Sequence, residues 1–282
     1  MEMDMDVFQP RCLSYVLQFE HLEKRLEGMP GATDEHIAAL FGLDLETYRS
    51  IRGRYAARAR RAARELIAEP AFAALVDRLP FRAGDVVVGL GDSITDDDQS
   101  WLEIVRALLQ SRRAEDRIRV VNAGVSGDTT AQMIARFLDV VVEEPDWIIC
   151  MAGTNDARLH GALPTKVLVS LEETERNLDM LQHMAVTQTR ARWTWMTPTL
   201  VVEERIAGHW MLSGFELSWR NEDLLAISDV ICRRAEPVVD LRQAFGEPPD
   251  PRYLLPDGLH PSLEGQTAIV RALVERLVEE SE

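Results

Sequence analysis

A chain of 282 residues with 46% hydrophobic and 28% charged side chains can bury a sizeable core, which excludes a chain disordered by composition. Its formal net charge of -16 argues against attraction of the whole surface to nucleic acid or to an anionic membrane. No apolar run approaches the length of about 18 residues that marks a membrane helix.

The opening Met-Glu-Met-Asp-Met-Asp is acidic where a secretory signal would be basic and then apolar. Cys12, Cys150 and Cys232 are an odd number at spacings that match neither a disulfide framework nor a zinc site. Both features lead us to expect a soluble, cytoplasmic protein.

Residues 1–80 carry helical patterns and no strand-like run, which predicts an N-terminal, all-helical extension. A first helix is expected around 11–27, with Leu13, Val16, Leu17, Leu22 and Leu26, stopped by Gly28 and Pro30. Thr33 before Asp34 and Glu35 signals a second start, and Asp44 a third. The long helix after Asp44 holds Tyr48, Ile51 and Tyr55 and runs through alanines to Pro70; a short helix bounded by Pro80 follows. His36 to Tyr55 reads as helix, turn at Gly42, helix, and the second helix bears Arg49, Arg52, Arg54, Arg58, Arg60, Arg61 and Arg64.

Two readings of that basic helix exist. One is a regulatory or binding protein whose N-terminal helices contact nucleic acid in the manner of a helix-turn-helix, or hold a phosphate-bearing ligand. The other is a helical bundle with a solvated basic face, serving as an oligomer contact or as a lid. Acidic residues in the same segment nearly balance the arginines, which favours the bundle, with a homo-oligomer through these helices as one role open to it.

Beyond residue 80 the pattern changes. Apolar strand-like runs at about 85–91, 118–122, 146–152, 193–197 and 237–241 alternate with helix-patterned stretches. The alternation predicts an α/β fold of three layers, α/β/α and flavodoxin-like, around a parallel sheet of about five strands, with this second domain over 81–282. Leu263 to Glu280, with Ile269, Leu273, Leu277 and Val278 at helical spacing, is expected to pack beside the first strand.

Four segments carry chemistry. Val86 to Thr95 is an apolar run breaking at Gly91-Asp92-Ser93, a strand delivering a serine into a tight turn before a helix. Alone, such a serine is more often a helix N-cap than a nucleophile. Asp257-Gly258-Leu259-His260-Pro261 adds a carboxylate three residues before an imidazole. One short turn can hold that carboxylate against ring Nδ1 and leave Nε2 free for a serine, and Pro261 restricts the backbone of His260. Val120 to Thr129 is a second strand ending in small residues, where Gly127 offers a backbone N–H with no side chain in the way. Trp147 to Asp156 is a third, followed by Gly153-Thr154-Asn155-Asp156, and Asn155 supplies a neutral amide donor. Ser93, Gly127 and Asn155 all fall beyond the carboxyl ends of strands, where open α/β sheets bind ligands.

Gly91-Asp92-Ser93, the glycine of Ser126-Gly127-Asp128, Gly-Thr-Asn155-Asp and Asp257-x-x-His260 together resemble the four blocks of the SGNH hydrolases, or GDSL esterases and lipases, across about residues 85–277. The resemblance implies Ser93 as nucleophile, Asp257 and His260 as its triad partners, and an oxyanion hole of Ser93 N–H, Gly127 N–H and the Asn155 side chain. It implies a serine esterase acting on a small-molecule acyl or acetyl ester through an acyl-enzyme, with neither metal nor organic cofactor.

Other residues are given structural readings. Asp92 is expected to bind nearby backbone donors, and Asp96-Asp97-Asp98 to be a solvated loop rather than a cation site. Asp128 and Asp156 read as caps. His160, His183 and His209 have no assignable partner, and His209-Trp210-Met211 with Trp219 could line a substrate wall.

Overall fold

The structure, a computed structural model, describes residue 13 and residues 15–26, 29–161 and 166–281. Cys12, Gly28 and both ends of the first expected helix lie outside the described residues.

The central sheet consists of β1 (Val86–Gly91), β2 (Arg119–Gly124), β3 (Trp147–Met151), β5 (Arg192–Met196) and β7 (Val238–Val239), in the order β2-β1-β3-β5-β7 and parallel throughout. A separate antiparallel ribbon pairs β4 (Leu159–His160) with β6 (Leu217–Ser218). The chain steps from β1 outward to β2 and then crosses back to β3. A crevice therefore opens beyond the carboxyl ends of β1 and β3, where strand order reverses.

Because helices cover both faces, the inner strands are apolar on both sides. Val87 and Ile149 point into one layer with Trp101, Leu102 and Leu273, while Val88 and Ile148 point into the other with Leu178, Trp195 and Ile231. The first layer also holds Ala59, Ala62, Ala63 and Leu66 of helix Leu45–Ile67, which packs on helix Trp101–Arg112. Alanines at those positions let the two backbones approach closely. Asp44 caps that long helix by accepting from Thr47 N–H, and Thr33 caps helix Asp34–Leu40 in the same way.

Two expectations need correction. Helix Leu263–Glu279 packs on helix Trp101–Arg112 and beside β7 rather than beside the first strand. The reason is that helix Trp101–Arg112 already covers β1, with Leu102 lying directly over Gly89. The last strand is only two residues long, since the chain turns at Asp240 into helix Arg242–Phe245. Among the described residues, no helix is long and apolar enough to cross a membrane.

Candidate active site

β1 ends at Gly91, and the buried Asp92 carboxylate accepts from Ile94 N–H at 3.0 Å, capping the one-turn helix Ser93–Asp96. Ser93 is thereby presented at a helix start, its side chain at the mouth of the crevice. Gln266 of the C-terminal helix braces this turn from behind, donating to Ile94 O at 3.1 Å and accepting from Trp101 N–H at 2.8 Å. The close pass of β2 behind the turn requires Gly124, where a Cβ would sit 2.5 Å from Asp96 N.

The structure brings Ser93, His260 and Asp257 together. Ser93 Oγ lies 2.9 Å from His260 Nε2, and His260 Nδ1 lies 2.7 Å from Asp257 Oδ2. The other Asp257 oxygen accepts from Leu259 N–H and His260 N–H, so the Asp-x-x-His turn closes on its own carboxylate. Burial opposes charge on His260, but the adjacent Asp257 outweighs it and holds the imidazole pKa above its ordinary 6.5. Asp257 is held below the ordinary carboxylate value: burial alone would raise it, and the His260 charge and three hydrogen bonds more than offset this.

Gly127 and Asn155 face the same cavity as Ser93 and His260, a hollow of about 260 Å³. Gly127 has φ 83°, in the left-handed region, while a Cβ there would meet no atom within 4 Å. Backbone conformation, not crowding, demands glycine. Asn155 Nδ2 donates to Asp128 O at 3.1 Å, and Asp156 ties the two donor loops together by accepting from Thr130 N–H, Thr130 Oγ1 and Thr174 Oγ1. Asp128 pairs with Arg136. Asp128 and Asp156 are therefore buried cross-links between elements, more than local caps. Larger hollows of about 600 and 570 Å³ run along helix Leu263–Glu279, but none of the four motif segments that carry chemistry contributes to them.

Asp96, Asp97 and Asp98 do not form a solvated loop. The first two are fully enclosed and the third partly so. Burial pushes Asp97 up to about 7, and the same cause pushes Asp92 up to about 6. What encloses the triplet is the chain's own start: Gln18 donates to Asp97, His21 and Lys24 meet Asp96, and Arg52 binds Asp98 through two nitrogens.

That start reaches the serine itself. Residues 15–19 are helical, and Tyr15 Oη lies 3.0 Å from His260 Nδ1. The Nδ1 proton already points at Asp257, so the phenol oxygen accepts a share of it and the phenol proton is left for the Asp257 carboxylate. The Phe19 ring stacks on the imidazole with centroids 4.1 Å apart. The cavity is also lined by Met211, Leu217 and Trp219, the last fixed by its indole N–H on Thr154 O. His209 and Trp210 line a neighbouring hollow with Tyr15. His160 and His183 are exposed.

Tyr15, Gln18, Phe19, His21 and Lys24 are the site-proximal residues that sequence reasoning missed. Their only advance signal is charge: a His and a Lys that could answer three consecutive aspartates. Several arginines of the basic helix are committed within the chain: Arg52 to Asp98 and Glu23, Arg49 to Asp34, Arg61 to Glu65.

Comparison with known proteins now bears on the site. The GDSL-like Lipase/Acylhydrolase family matches residues 90–268. An acetylxylan esterase of Geobacillus stearothermophilus is 27% identical over 224 residues, 69% of this chain and 94% of that protein. Esterase TesA of Pseudomonas aeruginosa is 37% identical over 97 residues, 32% of this chain and 46% of that protein. Among solved structures, an alpha/beta hydrolase enzyme from the metagenome of Lake Arreo, Spain, superposes with a TM-score of 0.55 at 26% identity, covering 71% of this chain and 97% of its own. A catalytic mutant of the Geobacillus acetylxylan esterase gives 0.54 at 26% identity, covering 70% and 95%.

Proposed function

As the chain belongs to the GDSL-like lipase/acylhydrolase family and is an ester-hydrolysing enzyme, we propose that it cleaves a short-chain carboxylic ester by a Ser93–His260–Asp257 relay. The observation that carries this reading is the unbroken chain of contacts from Ser93 Oγ to His260 Nε2 and from Nδ1 to Asp257.

Ser93 Oγ attacks the carbonyl carbon while His260 Nε2 takes its proton, and the carbonyl electrons move onto oxygen. Ser93 N–H, Gly127 N–H and Asn155 Nδ2 receive that oxyanion. Collapse breaks the bond to the alcohol, which leaves with the proton from His260, and the acyl group stays on Ser93. Water, deprotonated by His260, then releases the acid and restores the serine. Asp257 holds the imidazole in the tautomer that presents a bare Nε2. Because donors on two loops are locked by Asp156 before substrate enters, little reorganisation accompanies charge development.

The acyl group is a small one such as acetyl, in keeping with the compact hollow of about 260 Å³ beside Ser93. The relative named an acetylxylan esterase agrees with this size. Ser93→Ala should lower release of nitrophenol from p-nitrophenyl acetate by about a thousandfold or more while circular dichroism stays unchanged. A folded Ser93→Ala protein with undiminished turnover would overturn the assignment.

A further inference from the structure

The family match begins at residue 90, yet Tyr15, Val16, Phe19 and Glu20 line the cavity around Ser93. We propose that residues 15–25 are a specificity strap: Phe19, backed by Tyr15, is the wall that restricts this site to short acyl groups, and the aspartate triplet is the anchor that holds the wall shut. The inference rests on the esterase reading given above and adds a determinant of substrate size that lies outside the family core.

Several contacts fix the wall. Phe19 is buried, stacked on His260 and set against the Tyr15 ring at 5.1 Å. Its carbonyl accepts from Ser126 Oγ, next to Gly127. Downstream, Lys24 Nζ reaches Asp96 at 2.5 Å and Gly124 O at 2.8 Å, and Arg25 donates to Ser126 O at 2.5 Å. The strap is thus tied both to the loop that follows Ser93 and to the loop that carries Gly127. It sits against the machinery rather than over it.

Size follows from this arrangement. Ligand cavities commonly span about 300–1,000 Å³, and the hollow here is about 260 Å³, lined by Phe19 together with Met211, Leu217 and Trp219. On this proposal Phe19, buried and held against His260, obstructs a longer acyl chain. Truncating Phe19 removes that side chain from the cavity lining while leaving Ser93, Gly127 and Asn155 in place.

The test compares kcat/KM for p-nitrophenyl octanoate and p-nitrophenyl acetate in the full-length wild type, in Phe19→Ala and in the anchor variant His21→Gln/Lys24→Met, whose side chains do not line the cavity. The octanoate-to-acetate ratio is read rather than either rate, because Phe19 also packs on His260. We expect the ratio to rise about tenfold or more in Phe19→Ala and to rise in the anchor variant as well. Folded variants whose ratios stay within twofold of wild type would overturn the strap; if Phe19→Ala does not fold, the anchor variant decides alone. Wild-type inactivity toward both esters, or Ser93→Ala as active as wild type, would instead overturn the underlying esterase reading.

Discussion

In the proposed relay His260 can take the proton of Ser93 only while its Nε2 is bare, so its protonation sets the acidic side of the rate profile. Its charged form is disfavoured by burial yet stabilised more strongly by Asp257, which leaves the pKa above the ordinary 6.5. The sign follows: as pH falls, the imidazole is captured by a proton earlier than a free histidine would be. The acidic limb of kcat/KM toward p-nitrophenyl acetate should have its midpoint above 6.5, and Asp257→Asn should move it downward while lowering kcat. A wild-type midpoint at or below 6.5 would contradict the balance of burial and charge described here. At this scale the sequence was readable where chemistry depends on local spacing, as in Asp257-x-x-His260. It was not readable for Asp96, Asp97 and Asp98, because three adjacent carboxylates look the same whether water or a half-buried lysine and a buried histidine answer them.

The strap is an element whose attachment depends on pH through His21. Asp96, Asp98, Arg52 and Lys24 face that histidine. Burial and Arg52 disfavour its charge, but the hydrogen bond to Asp96 and the Asp98 carboxylate 3.5 Å from Nε2 raise its pKa from 6.5 to about 9. A base with a raised folded pKa contributes stability fully present below 6.5 and lost as pH rises through about 9. Amide hydrogen exchange in residues 15–26, corrected for intrinsic rate, should therefore accelerate between pH 7 and pH 10 while β1 and β3 stay protected. Unchanged protection of that segment across the range would rule out His21 as the pH-sensitive attachment. Elements of the sheet were legible because β-branched runs announce buried strands, and the helix starts at Thr33 and Asp44 because capping is local. The docking of residues 15–25 was not legible, since a short amphipathic helix does not encode which distant surface will receive it. Two-residue strands such as β4 and β6 leave no periodicity to read.

At the scale of the molecule, helix Leu45–Ile67 shares one apolar layer with the sheet, so the N-terminal helices and the strands should lose structure together. Leu66 is fully enclosed in that layer. Leu66→Ala should cost about 2–5 kcal/mol in urea unfolding, with a single transition seen by both tryptophan fluorescence and circular dichroism. Two separated transitions would show that the helices melt on their own. Tyr15 and His260, 245 positions apart, touch at the serine. During synthesis the serine and its amide donors leave the ribosome long before the base does. The proposed relay, whose serine and imidazole stand 167 positions apart, is consequently assembled only once the carboxyl-terminal segment has joined the fold.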